Sequence, residues 1–336
     1  MPFFATTTAA ITAIFGGSIY VLRRRISRNW IDLRRKEYPA LNGKTILITG
    51  GNVGIGFETA KELARRNSNV ILACRNTEKG DEAVASISKA TGNDNVSCMK
   101  LDLASLTSVN EFIAEVQSNY ESIDVLICNA GVWIPMEQKM KTTDGYEMHF
   151  GVNHLAHVAI AKSLIPQLDK SKDGRIVFVS SGLMERGKID YENSVYEGRE
   201  ELSENGKPSF VPTGYGDSKL MNAMTSKYLS TSLPSSVTTY SVCPGFCRSN
   251  LARNVAMPLP QKIFAGGAML LIQRTQLQGA QNVIYATCES KDTLESGSLY
   301  RDGKVMTKEM NYMDSIGGVP EAKKLWDFSL DLLSKH

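Results

Sequence analysis

The sequence predicts an α/β protein: one domain with a doubly wound parallel sheet of about seven strands and helices on both faces. Three observations carry that expectation. Short runs rich in Ile, Val and Leu recur from Thr45 to Val242, as in strands covered on both sides. Amphipathic stretches of helical length separate them. The first run opens directly into a glycine-rich turn and a helix, the unit from which such sheets are wound. Composition agrees, because 42% apolar and 22% charged residues are ordinary proportions for a globular domain. About 300 residues remain once a short N-terminal segment is set aside, enough for one large core.

That segment comes first. Phe3 to Leu22 runs without a charged side chain, and twenty helical residues span roughly 30 Å, the thickness of a bilayer core. Thr6, Thr7, Thr8, Thr12, Gly16, Gly17 and Ser18 make the run only moderately apolar. Positive charge follows it instead of preceding it, unlike a cleaved signal peptide. Arg23, Arg24, Arg25, Arg28, Arg34, Arg35 and Lys36 oppose only Asp32 and Glu37, so residues 23–37 carry +5 of the chain's +3 and residues 38–336 carry −2. The basicity therefore argues for a membrane flank and against a nucleic-acid surface. The expected organisation is an uncleaved membrane anchor over 1–22, a basic juxtamembrane linker over 23–42 and the folded domain over 43–336. Positive-inside orientation places that domain in the cytosol, with the endoplasmic reticulum as the favoured membrane. An interfacial helix and a mitochondrial targeting segment stay open as alternatives. A glycan on the one sequon, Asn95-Val96-Ser97, would put the domain in the lumen.

Thr45-Ile46-Leu47-Ile48 reads as the first strand, and a helix is expected from Phe57 to about Arg66. Between them lies Thr49-Gly50-Gly51-Asn52-Val53-Gly54-Ile55-Gly56. Strand, glycine turn and helix together form a Rossmann-type dinucleotide cradle, in which the turn approaches a pyrophosphate at the helix N-terminus. Gly50, Asn52, Val53, Gly54, Ile55 and Gly56 are its candidate residues, although the spacing is Gly-x-x-x-Gly-x-Gly and a turn without a ligand is the plain alternative. The second strand, Val70 to Ala73, ends in Cys74-Arg75-Asn76. An NAD site places an acid there against the ribose hydroxyls; Arg75 suits a 2′-phosphate, so NADP(H) is expected over NAD(H). Val96 to Leu103 is the third strand, bringing Asp102 and Leu103 near the expected adenine edge. Ile123 to Cys128 is the fourth and ends in the small-residue turn Asn129-Ala130-Gly131, a close-approach surface for the same cofactor. Helices are expected near 78–90 and 105–118.

Gly145 to Leu168 reads as one long helix carrying Asn153, His154 and His157, all taken as hydrogen-bonded core polar groups. Arg175 to Ser181 is the fifth strand, with paired serines at its end. Gly214-Tyr215-Gly216-Asp217-Ser218-Lys219 follows on a helix. Tyr215 and Lys219 fall one turn apart on one face, where the ammonium favours ionisation of a phenol that titrates near ~10 in water. Val237 to Val242 is the sixth strand and closes in Pro244-Gly245. A helix over 275–289, a short strand at Gly297–Tyr300 and an amphipathic helix over 320–334 complete the chain. The six cysteines lack metal-ligand spacing, so free thiols and no metal site are expected.

These residues, in this order, resemble the short-chain dehydrogenase/reductase family over residues 43 to about 305. The resemblance rests on Thr49-Gly-Gly-Asn-Val-Gly-Ile-Gly, Asn129-Ala-Gly, Asn153, Ser181, Tyr215 with Lys219, and Pro244-Gly245. Leu72-Ala73-Cys74-Arg75-Asn76, Thr143 to His154, the N-terminal segment and Lys324-Leu325-Trp326 look like the microsomal retinol-dehydrogenase branch. The resemblance implies that Tyr215 is the general acid or base and that Lys219 holds the nicotinamide ribose and lowers the tyrosine pKa. Ser181 would orient the carbonyl oxygen, and Asn153 would anchor a water that relays protons. Pro244, Gly245 and Ser249 would border the nicotinamide, Ser249 replacing a more usual Thr. It implies a lipophilic aldehyde, ketone or alcohol as substrate, retinal or retinol foremost, with a hydroxysteroid or xenobiotic carbonyl as the alternative. Residues 256–272, rich in Met, Leu, Ile and Phe, fall where the family has its substrate lid, though a buried helix or a membrane contact fits them too. The polar insert at about 183–212 is read equally as a rim of the substrate mouth or as surface decoration. By analogy the helices around 150–168 and 216–231 pair in a homodimer. A catalytically silent, membrane-tethered scaffold is the competing class, and the intact Asn153, Ser181, Tyr215, Lys219 set argues against it.

Overall fold

The computed structural model describes residues 27, 30–31, 38–198, 212–248 and 273–336. The expected membrane anchor, most of the expected basic linker, Ser249, the 256–272 stretch and the middle of the insert lie outside the described residues. Among the described residues, no helix is long and apolar enough to cross a membrane.

Eight strands form one sheet in the order β3-β2-β1-β4-β5-β6-β7-β8. They are β1 (Thr45–Thr49), β2 (Asn69–Cys74), β3 (Val96–Lys100), β4 (Val125–Cys128), β5 (Gly174–Val179), β6 (Val237–Val242), β7 (Leu299–Arg301) and β8 (Lys304–Val305). All neighbours pair in parallel except β7 and β8, which form an antiparallel hairpin. The eighth strand is an addition to the seven expected; two residues are too few to leave a periodic trace. The helices are α1 (Gly54–Arg65), α2 (Thr77–Thr91), α3 (Leu106–Asn119), α4 (Ala156–Lys170), α5 (Thr213–Ser232), α6 (Gln276–Cys288), α7 (Thr307–Ser315) and α8 (Gly318–Leu333). Helix α7 is polar, burying only Glu309 and Met313, and for that reason it had no signature in the sequence.

Successive side chains of a strand point to opposite faces, so each strand feeds two cores. Ile46 and Ile48 pack on one side with α1, α2 and α6, while Leu47 packs on the other with α3 and α4. A third cluster joins α5 to α8 through Leu220, Met224, Leu325 and Leu332. These layers are the doubly wound arrangement that the apolar runs predicted.

One expected helix is different. Gly145 is not helical but occupies a turn with φ +86°, and the helix begins at Met148. After Met148 and His149, the six residues Phe150–Leu155 wind as a π-helix before α4 continues. Such π turns are rare and concentrate at functional sites.

At the sheet's far side the chain's early residues dock. Arg274 places its guanidinium on both carboxylate oxygens of Asp302 at 2.6 Å. The Trp30 ring lies 4.6 Å from that guanidinium, and Ile31 donates its N–H to Asp302 Oδ1 at 3.2 Å. Arg274 also exchanges main-chain bonds with Phe246 and Arg248, just beyond β6.

Candidate active site

The C-terminal ends of β1, β4, β5 and β6 lie side by side, and the glycine turn, Asn129-Ala130-Gly131, Ser180-Ser181 and Pro244-Gly245 leave from them. Sheet order reverses between β1 and β4, the switch point at which open α/β sheets hold ligands.

The residues of the glycine turn fit a dinucleotide. Helix α1 begins there with no side-chain cap and no acid in its first turn, so its N–H groups and positive end are left for an anion. Gly54 has φ +67° and open space where a Cβ would point. Gly56 has the opposite surroundings, since a Cβ would lie 2.4 Å from the Gly50 carbonyl and 2.6 Å from Asn129 Nδ2. Only glycine lets α1 come that close to the turn. Asn52 is half-buried beside it, Val53 is 49% exposed, and Ile55 packs inward. The Asn129 side chain works differently from a direct ligand contact. It donates to the carbonyls of Thr49 and Gly50 at 2.9 and 3.3 Å, and so fixes the turn's shape.

Arg75 is exposed at the end of β2, and no acid stands beside it before Glu78. Lys100, its neighbour across β3, donates to the Arg75 carbonyl at 2.5 Å. A second basic side chain therefore reaches the end of β2; Lys100 went unnoticed because only sheet register brings it there. Asp102 uses Oδ1 in a local turn, accepting from Ala104 N at 3.0 Å, and Leu103 is buried beside it.

The hexapeptide at the start of α5 supports the site residue by residue. Gly214 leaves room for His149 and Glu147, to which a Cβ would come within 3.0 and 3.2 Å. Gly216 and Gly187 let the insert's backbone press on the helix; a Cβ on Gly187 would lie 2.5 Å from the Gly216 carbonyl. Buried Asp217 accepts from Lys188 N at 2.8 Å and Ser194 Oγ at 2.9 Å. Ser218 accepts from Asn153 Nδ2 at 3.0 Å and donates to the Tyr215 carbonyl at 2.9 Å. The described part of the insert thus packs on the catalytic helix. Its Tyr196 and Glu197, with Ile134, Met140, Lys139, Lys141 and Glu147, line a mixed polar and apolar cleft that reaches Gly214, next to Tyr215 in the chain.

Asn153, Ser181, Tyr215 and Lys219 converge. An added Cβ on Gly131 would stand 3.3 Å from Asn153 Oδ1 and 3.5 Å from Lys219 Nζ. Ser181 lies by the Tyr215 phenol and accepts from Leu183 N at 3.2 Å, whereas its neighbour Ser180 is buried and donates to the Lys219 carbonyl at 2.7 Å. One expectation needs correction. Lys219 does not lower the phenol in the protein alone. Burial dominates and pushes Tyr215 well above the usual range, against the lowering effect of Ser181. The ammonium is turned to the Val179 carbonyl at 2.8 Å, and burial lowers Lys219 to about 8. The Asn153 amide, in turn, is taken up by protein: Oδ1 accepts from Val132 N at 2.7 Å, and Nδ2 donates to Val132 O at 3.2 Å and to Ser218. Both amide hydrogens are spent within the protein.

Sequence reasoning missed a second clamp on the same loop. His149 Nε2 accepts from Ile134 N at 2.9 Å, so its proton is on Nδ1 and faces Glu147 Oε1 at 2.6 Å. Between the two clamps, the Trp133 ring rests 4.7 Å from the Tyr215 ring. Pro244 accepts from Cys247 Sγ at 3.3 Å, and Gly245, at φ +80°, packs against the Arg274 side chain. The six cysteines are free, and among the described residues no group of His, Cys, Asp and Glu could hold a metal.

Comparison with known proteins agrees with this architecture. Residues 44–196 match the family model of short chain dehydrogenases. Retinol dehydrogenase 14 of Mus musculus is 36% identical over 97% of this chain and 97% of its own length. Retinol dehydrogenase 11 of Homo sapiens is 37% identical over 87% of this chain and 86% of its own. A Mycobacterium paratuberculosis protein of uncharacterized function superposes with a TM-score of 0.64 at 27% identity, over 89% of this chain and 96% of its own. L-sorbose reductase from Gluconobacter frateurii, solved with NADPH and L-sorbose, shares the fold at a TM-score of 0.62 and 19% identity, over 79% and 96%. The chain therefore belongs to the short-chain dehydrogenase/reductase family, in its retinol dehydrogenase-like branch, and is a nicotinamide-dependent oxidoreductase of alcohols and carbonyls.

Proposed function

We propose that this protein is a membrane-anchored, NADP(H)-dependent reductase of lipophilic aldehydes or ketones, with retinal as the leading substrate. The observation that carries the reading is the convergence beside Gly131, where an added Cβ would stand 3.3 Å from Asn153 Oδ1 and 3.5 Å from Lys219 Nζ, with the buried Tyr215 phenol next to Ser181. Arg75 and Lys100 support the 2′-phosphate. The relatives named for retinol, the apolar members of the cleft wall (Ile134, Met140 and Tyr196) and the Trp133 ring tilted against Tyr215 support a lipophilic substrate. The uncharged run before Arg23 supports the anchor, with the domain in the cytosol and the endoplasmic reticulum as the membrane.

The nicotinamide supplies the hydride when bound. Ser181 holds the substrate oxygen, and Tyr215 donates its proton to that oxygen as charge develops there. Burial keeps the phenol protonated at neutral pH, the form needed for reduction. Lys219, whose Nζ lies beside Gly131, would hold the nicotinamide ribose. The Asn153 main-chain carbonyl holds the water that re-protonates the phenol by way of Lys219. Purified full-length protein, NADPH, and a panel of retinal, steroid ketones and medium-chain aldehydes test this. NADPH consumption with retinal foremost is expected. Preference for steroid ketones would transfer the assignment to a hydroxysteroid reductase, and consumption with none would remove the enzymatic reading.

A further inference from the structure

Hydrogen-bonded groups centred on three buried residues form a chain that runs from the start of the glycine turn to the π turn. His157 Nδ1 lies 2.9 Å from the Asn153 carbonyl, and its Nε2 lies 2.9 Å from Thr49 Oγ1. Thr49 Oγ1 also lies 3.0 Å from the main-chain N–H groups of both Asn129 and Ala130. Thr49, Asn153 and His157 are each fully buried.

The protons in this chain are fixed by elimination. A carbonyl oxygen only accepts, so Nδ1 carries a hydrogen. Burial lowers His157 to about 4, so the ring is neutral and Nε2 is an acceptor. Thr49 therefore gives its single hydroxyl proton to Nε2; its alternative acceptor, the Ile127 carbonyl, is farther at 3.4 Å. Its lone pairs then receive Asn129 N and Ala130 N, and every buried donor and acceptor in the chain is satisfied.

The carbonyl at the end of this chain lies within the π turn. Through the π turn the backbone bonds run five residues apart, as Ala156 N to Gly151 O does, and α4 then returns to four. A switch of register takes carbonyls out of line with the ladder. His157, one turn on, reaches back to the Asn153 carbonyl from its own side chain.

We propose that His157 is a positioning residue: with its proton on Nδ1, it aims the Asn153 carbonyl at the relay water and ties that carbonyl through Thr49 to the cofactor turn. The inference rests on the proposed role of Asn153 in proton relay. Its sequence signal was the spacing of four from Asn153, which puts both on one helix face.

Three variants of the full-length protein test it against turnover of NADPH with the best substrate. His157→Leu fills the space without a donor, and His157→Asn restores a donor near the Nδ1 position. Tyr215→Phe reports on the reaction itself. Expected for His157→Leu are a fall in kcat of about tenfold or more, little change in KM for NADPH, and a shifted pH profile of kcat. His157→Asn should recover most of kcat and the original profile. In the wild type, long-range 1H–15N spectra of the histidines should give the Nδ1–H tautomer for His157 at neutral pH. An Nε2–H or doubly protonated ring would overturn the proposal. So would a His157→Leu variant whose pH profile and kcat match wild type. If His157→Leu loses thermal stability alone, with kcat and profile unchanged, the residue is only a packing group and the proposal falls. Undiminished turnover in Tyr215→Phe would instead sink the underlying mechanism.

Discussion

Lys219 donates to the Val179 carbonyl at 2.8 Å while its ammonium lies 5.6 Å from the centre of the Tyr215 ring. The strand end and not the phenol holds the cation in the protein alone. Coupling of the two through a bound ribose is then a property of the complex. Tyr215→Phe keeps the ring against Trp133 and removes only the hydroxyl. Turnover should fall by about 10²–10⁴-fold, while NADPH affinity, read by fluorescence titration, stays within a factor of a few. Retained turnover would mean that another group protonates the product.

The two glycines of the cradle should respond differently to alanine. At Gly56 the new methyl group meets the Gly50 carbonyl at 2.4 Å, so the turn must open. Overpacking of this kind costs on the order of 1–3 kcal/mol, and cofactor binding should be lost with it. At Gly54 the space is empty but φ is +67°, so the penalty is backbone strain of about 1 kcal/mol. Melting curves and cofactor titrations of both variants check the contrast. Equal effects would show that the close approach at Gly56 has no role.

Arg75 and Lys100 should set the choice between the two nicotinamide dinucleotides. Arg75→Glu should weaken NADP(H) binding by about 10–100-fold, the worth of one charge-assisted hydrogen-bonded contact. NAD(H) affinity should hold steady or rise. Lys100→Ala should act in the same direction and less strongly. Tighter wild-type binding of NADH than of NADPH would refute the assignment directly.

Acid should destabilise the fold through the histidines. Burial lowers His154 to about 3 and His157 to about 4, from an ordinary 6.5. Between pH 6.5 and about 4 the unfolded chain binds protons that the folded one refuses, so stability falls as pH falls through that window. The melting temperature should drop by several degrees between pH 7 and pH 5. His157→Leu, which cannot titrate, should show a smaller drop.

Much of this architecture was legible because a buried parallel strand cannot hide its composition. The runs at Thr45, Val70 and Val237 gave strands whose bounds agree within a residue or two with the structure. Asn153, Ser181, Tyr215 and Lys219 could be named because their order along the chain matches a family pattern, and the fold brings them together. What escaped depends on three-dimensional register. Lys100 reaches Arg75 only through the β2–β3 pairing, and His149 reaches Ile134 only because a turn precedes its helix. The π turn itself leaves no periodic mark in six residues. The Tyr215 shift was misjudged because sequence shows which charges are near in helical spacing but not how deeply a phenol is buried.

The docking of Trp30 and Ile31 onto Arg274 and Asp302 bears on how the enzyme can be handled. Shortening the chain to make it soluble invites a cut just before the folded domain at residue 43. Such a cut would strip the indole cover from an ion pair that also braces Gly245, beside the proposed nicotinamide pocket. A truncation that starts ahead of Ser27 keeps that brace. The soluble version worth crystallising is therefore a longer one than the domain boundary advises.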